Sequence, residues 1–169
     1  MLRTIRTINL STADAIANAS IASVSKLIKH KPMTVTVLDA AGGILVQKRM
    51  DGCPDGAYSK FSYAKAKTCI LLQTSSGKFR EKYTSSGEAP AFTQAASMVS
   101  LMGGELIPIA GGVLILDKEG NTIGSVGVSG AAAAEDEYLA WKGVHDVIGS
   151  GGAKGLTTIP ENHSCTTLN

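Results

Sequence analysis

Two pairs of β-branched runs are each joined by only four turn residues. MTVTVLD (33–39) and ILVQKRM (44–50) flank AAGG, and VLILD (113–117) and TIGSVGVS (122–129) flank KEGN. A parallel crossover needs a dozen residues or more, so linkers this short force antiparallel hairpins. LIPIAGG (106–112) reads as a further short strand ahead of the second pair. Segments with helical spacing surround both hairpins. The expected class is therefore α+β, an antiparallel sheet with helices packed on it.

The first helix is expected to begin at Ser11, with Asp14 three residues on as a capping box. Ala17, Ile21, Val24 and Ile28 form its stripe, and the basic cluster around His30 with Pro32 after it places its end near residue 31. DGCPDG (51–56) is a loop. The next helix runs through AYSKFSYAKAKTCILLQTSS, with Phe61, Ala64, Thr68 and Leu72 on one face and Gly77 as its C-cap. Residues 78–90 read as polar and irregular, AFTQAASMVSLM as a short helix, and AAAAEDEYLAWKGVHDVIG as the last one. This gives one domain over 1–148 and a Gly/Ser/Thr-rich tail over 149–169.

Sixteen Lys and Arg against fourteen Asp and Glu leave a net charge of +2, without the concentrated basic surface of a nucleic-acid binder. Nucleic acid is not an expected partner. No apolar stretch reaches the twenty or so residues of a membrane span, so no membrane association is expected either. Cys53, Cys69 and Cys165 are odd in number and widely spaced, which suits a reducing compartment and a cytoplasmic location. The basic, acid-poor opening MLRTIRTINLS keeps a mitochondrial alternative open. Only 5% of residues are aromatic, so close backbone contacts must replace part of the bulk of a ring-filled core.

The stretch GNTIGSVGVSGAAAAEDE (120–137) admits three readings. A phosphate cradle would use Gly127 and Gly130 between strand and helix, but the spacing is not GxGxxG. A nucleophile elbow would use Ser129, but Ala131 stands where the second glycine belongs. The third reading is a sharp corner that lets a helix close on the sheet. Among iron donors, His145 on the last helix, His30 at the end of the first and Met50 at a strand end are the candidates. Asp39, Arg49 and Asp51 form a charge cluster that either pins the first hairpin or reads an anion, and Lys60, Lys65 and Lys67 either attract acidic groups or line a solvated face.

In combination, several elements resemble the GlcG/HbpS-like family, which includes the C-terminal domain of PduO-type proteins. They are Val37 with Asp39, Arg49 to Gly52, Lys65 with Ala66, the paired Gly111 and Gly112, Ile123 to Gly130, and Asp136, Glu137, Ala140 and Gly143. The resemblance spans roughly residues 8–148. It implies a profilin-like or PAS-like five-stranded antiparallel sheet, homo-oligomers from dimers to octamers, and binding of haem or a related tetrapyrrole or corrinoid.

The leading expectation is thus an oligomeric haem-binding protein of haem handling or degradation. Its small-molecule ligand would meet residues among Asp39, Arg49, Met50, Asp51, Lys65, Gly111, Gly112, Ser129 and Gly130, with His145 or His30 on the metal and Arg49, Lys60 or Lys65 pairing with propionates. Two alternatives stand beside it. One is an enzyme acting on a small carboxylate, in which Asp39, Arg49, Asp51 and Ser129 converge. The other is a non-catalytic assembly module.

Overall fold

A computed structural model describes residues 5–27, 29–54, 56–150 and 152–154. In chain order these form α1 (Leu10–Ala22), β1 (Thr34–Asp39), β2 (Ile44–Arg49), α2 (Ala57–Leu72), α3 (Ser76–Thr84), α4 (Ala89–Leu101), β3 (Gly112–Leu116), β4 (Thr122–Ser129), α5 (Ala133–Ile148) and β5 (Ala153–Lys154). The sheet order is β2-β1-β4-β3-β5, with every pairing antiparallel. Four full strands carry it. The fifth is a two-residue edge piece, and it comes from the segment expected to be tail.

The two faces of the sheet differ in kind, because alternate residues of each strand point opposite ways. Val35, Val37, Val113, Ile115, Val126 and Val128 share the main core with α1 and α5. The other face carries Thr34, Thr36, Gly112, Ser125, Gly127 and Ser129, and α2 lies along it. This second interface joins hydroxyls and glycines with a small apolar cluster of Cys69, Leu114 and Leu116. Thr36 Oγ1 and Ser62 Oγ share a 2.7 Å hydrogen bond, and Ser125 Oγ donates to the Ala66 carbonyl at 2.8 Å.

A Cβ on Gly127 would stand 2.1 Å from the Ser62 carbonyl oxygen, and one on Gly112 would stand 2.3 Å from that of Lys65. The α2 backbone therefore rests directly on β3 and β4, at positions where no side chain fits. Of the three readings of the glycine run, close backbone packing is the one that Gly127 serves.

Several expected boundaries move. Asn9, not Ser11, caps α1, its side chain accepting from Thr12 N at 2.9 Å, while Asp14 pairs with Lys48 at 2.7 Å. The α-helix stops at Ala22 and tightens into a 3-10 turn over Ser23–Lys26. There Ser23 and Ser25 donate back to the carbonyls of Ala19 and Ala22, competing with the helix ladder. Ile28, in the expected stripe, lies outside the described residues. Gln73, with φ of 52°, ends α2, and Gly77 lies inside α3, which replaces the irregular stretch. The expected strand at 106–112 is absent up to Gly111: Ile107 N donates to Thr68 Oγ1 at 2.9 Å, which holds the segment against α2 rather than in the sheet.

Candidate functional site

Lys65 sits midway along α2 on the side that faces the sheet, and Asp136 opens α5 beyond the end of β4. The two side chains meet: Lys65 Nζ donates to Asp136 Oδ2 at 2.7 Å and to the Val128 carbonyl at 2.9 Å. Each is only 3% exposed. The other carboxylate oxygen, Oδ1, accepts from Ala131 N at 2.9 Å, and Gly130 N also bonds to the carboxylate. The turn between β4 and α5 does present N–H groups to an anion. That anion is the chain's own Asp136.

Burial pushes the Asp136 carboxyl up to about 6, against the lowering pull of Lys65 and the turn N–H groups. Glu137, the next residue, points toward the start of α3. Both its carboxylate oxygens lie 2.9 Å from where a Gly77 Cβ would stand, so a side chain there would push the acid aside. Ser75 hydrogen-bonds it, yet Oε1 has no partner among the described residues. Burial pushes this carboxyl up to about 7, opposed by Ser75 and by attraction to Arg80, Lys65 and Lys78.

Cys69 completes the cluster one turn beyond Lys65, its Sγ donating to the Lys65 carbonyl at 3.3 Å. Burial foremost, with Glu137 nearby, pushes its thiol well above the usual range, so it stays protonated at neutral pH. Ser76 Oγ accepts from Gly112 N at 2.9 Å and ties α3 to β3. Of the residues singled out in the sequence, Lys65, Gly111 and Gly112 lie together, Gly130 bonds to the Asp136 carboxylate, and Ser129 stands between Val128 and Gly130 at the end of β4. Gly111, with φ of 132°, takes a conformation that leaves room for the Lys65 stem, whose Nζ lies 2.8 Å from its would-be Cβ.

The remaining candidates lie elsewhere. Asp39 Oδ1 accepts from Ala41 N at 2.9 Å and from Gly43 N at 2.8 Å, closing the first hairpin turn. Thr34 pairs with both Arg49 and Ser129, so those two stand at the opposite end of β1 from Asp39, about 17 Å away for five residues of strand. Arg49 donates to the Cys53 carbonyl at 2.8 Å, and Asp51 is exposed in the following turn. The fourfold convergence expected of Asp39, Arg49, Asp51 and Ser129 therefore does not form. Met50 is half-buried and packs on the main core. His30 is exposed after the 3-10 turn. His145 stacks on Trp141 with ring centroids 4.8 Å apart, its Nδ1 3.3 Å from Asp146 Oδ1 on the outer side of α5. His163 and Cys165 lie outside the described residues.

Among the described residues no group of three or more His, Cys, Asp or Glu side chains is placed to hold a metal ion. The cluster is buried, with Lys65 paired to Asp136 and Glu137 Oε1 left without a partner among the described residues. Reasoning from sequence missed the roles of Asp136, Cys69 and Ser75. Acids that directly follow a run of small residues at a helix start were the available signal.

Helices on both faces of an antiparallel sheet, with one helix laid on glycines and a buried Lys–Asp pair beneath it, define an α+β protein without an open catalytic constellation among the described residues. Residues 8–145 match the haem degrading protein HbpS-like family, and the chain belongs to that family. Three solved structures share the fold. Protein ORFY of Klebsiella pneumoniae is 22% identical with a TM-score of 0.75, over 88% of this chain and 95% of that one. A PduOC–haem complex is 22% identical with a TM-score of 0.69, over 82% and 93%. A double mutant of Streptomyces reticuli HbpS is 23% identical with a TM-score of 0.71, over 86% and 90%. No curated protein matches the chain. No helix among the described residues is long and apolar enough to cross a membrane.

Proposed function

We propose that this protein is a homo-oligomeric binder of haem, or of a related tetrapyrrole, that serves in haem handling. The observation that carries the reading is the family match over residues 8–145, joined by fold similarity to a PduOC–haem complex. The profilin-like or PAS-like description belongs to the same reading and is supported by the antiparallel sheet with helices on both faces.

The side chains present fit a tetrapyrrole held at a surface better than one enclosed in the fold. His145, on its Trp141 platform, is an iron donor with an accessible ring and a flat neighbour, while Met50 is committed to the core. Lys65 is sealed against Asp136 and leaves the set of propionate partners, whereas Lys60 remains exposed. Haem, when bound, would supply iron redox chemistry, and the chain's part is to hold and orient it.

Apolar side chains that the single chain leaves uncovered support self-association. In α4 only Ala95 is buried, while Phe92 is 46% and Leu101 85% exposed. Assemblies from dimers to octamers are part of the proposal, as are a cytoplasmic location and a single domain over 1–148.

The test is a hemin titration of untagged protein, followed by absorption in both oxidation states, with His145→Ala and His30→Ala beside the parent. The expected result is a shifted, saturable Soret band at about one haem or fewer per chain, altered in His145→Ala. A spectrum indistinguishable from free hemin would overturn the reading.

A further inference from the structure

We propose that the cleft between α3 and α4 is a binding site for a small amphipathic carboxylate, such as a medium-chain fatty acid. The inference does not rest on the haem reading. The cleft has a volume of about 390 Å³ and is lined by Leu72, Thr74, Lys78, Phe79, Lys82, Tyr83 and Met98. Its floor and rim differ in chemistry for a simple geometric reason. On α3 the aromatic residues Phe79 and Tyr83 are four apart, and so are the cations Lys78 and Lys82, so each pair shares one side of the helix.

Phe79 and Tyr83 are buried and pack edge to face, with centroids 5.3 Å apart at 75°. Leu72 and Met98 pack against the same small cluster from α2 and α4. Lys78 and Lys82 stand exposed at the rim, and Lys82 Nζ lies 5.4 Å from the centre of the Tyr83 ring. Among the described residues that line the cleft there is no Asp or Glu. Two acids lie outside that lining: Glu81, exposed on α3 three residues from Lys78, and Glu137 of α5, buried beside the start of α3, which attracts Arg80, Lys65 and Lys78.

Two like charges four apart on one helix oppose each other, and on the cleft side no acid stands with them. A carboxylate does, and the Thr74 hydroxyl adds a donor beside them. The apolar floor then selects an anion that carries a hydrocarbon or aromatic body over an inorganic one. Size narrows the class further. At about 30 Å³ for each water in the liquid, the cleft has the volume of roughly a dozen waters, which suits a ligand of the size of octanoate and not a tetrapyrrole.

The experiment is calorimetric titration with sodium octanoate at low salt, with octan-1-ol as the uncharged ligand of equal length. The variants are the Lys78→Ala/Lys82→Ala pair, Met98→Trp to fill the floor, and Lys29→Ala/Lys118→Ala as a control for charge elsewhere on the surface. The expected result is saturable binding of about one octanoate per chain. Loss of both rim lysines, or of the ligand's charge, weakens it by about tenfold or more, as for other charge-assisted contacts. Met98→Trp weakens it as well, and Lys29→Ala/Lys118→Ala leaves it unchanged. Absence of saturable binding, equal affinity in the Lys78→Ala/Lys82→Ala protein, or equal affinity for octan-1-ol would each overturn the proposal.

Discussion

At Lys65 an ammonium has left water for a position 3% exposed, and what it gains there is one carboxylate and one carbonyl. Desolvation of two ions offsets much of their attraction, so the pair stabilises little as a pair while each half depends strongly on the other. Lys65→Met or Asp136→Leu alone should cost about 3–5 kcal/mol, because each strands a buried charge. The double replacement Lys65→Met/Asp136→Leu should recover most of that loss. Urea unfolding of the four proteins in a double-mutant cycle measures this, and simple additivity of the single costs would refute it. The sequence marked Lys65 through the family pattern, but not its burial. Helical spacing is a local signal, and the partner that removes Lys65 from solvent is 71 residues further along the chain.

The first turns of α3 and α5 meet at Glu137, and their union is sensitive to pH. Its carboxyl is raised from 4.5 to about 7 by burial, so the folded protein holds that proton more tightly than the unfolded chain does. The stabilising contribution is complete below about pH 4.5 and is lost as pH rises through 7, up to about 3 kcal/mol for that rise. Asp136 acts in the same direction. In Glu137→Gln the amide stays neutral, so its thermal midpoint should change less between pH 5 and pH 8 than that of the parent. Parallel melting curves across that range would count against this account. Elements were legible from sequence where periodicity was strong, as in both hairpins, α2 and α5. They were missed where few residues carried the signal: α3 shows only Phe79 and Tyr83 as a buried aromatic pair, and β5 is two residues inside a Gly-rich stretch. The strand expected at 106–112 failed because Thr68 captures Ile107 N, a contact that no local pattern encodes.

Across the whole molecule, apolar burial is uneven. The face of the sheet under α1 and α5 is filled with Val, Ile and Leu, the α2 face is closed by glycines and hydroxyls with a small apolar cluster around Leu114, and α4 leaves Phe92 and Leu101 exposed. Covering a Leu side chain is worth roughly 1.5–3 kcal/mol, so a helix that leaves Phe92 and Leu101 exposed favours contact with another surface. The proposed oligomer supplies one: α4 of one copy against a neighbouring copy. Leu101→Glu together with Phe92→Glu should then shift native mass spectra and sedimentation toward smaller species. The far-UV spectrum and thermal midpoint of the dissociated chain should remain close to those expected for a folded monomer, since neither residue is part of a core cluster. An unchanged assembly mass would place the contact elsewhere on the molecule. The substitutions also leave Lys78, Lys82 and Met98 in place, so assembly through α4 and anion binding in the neighbouring cleft can be separated in one protein.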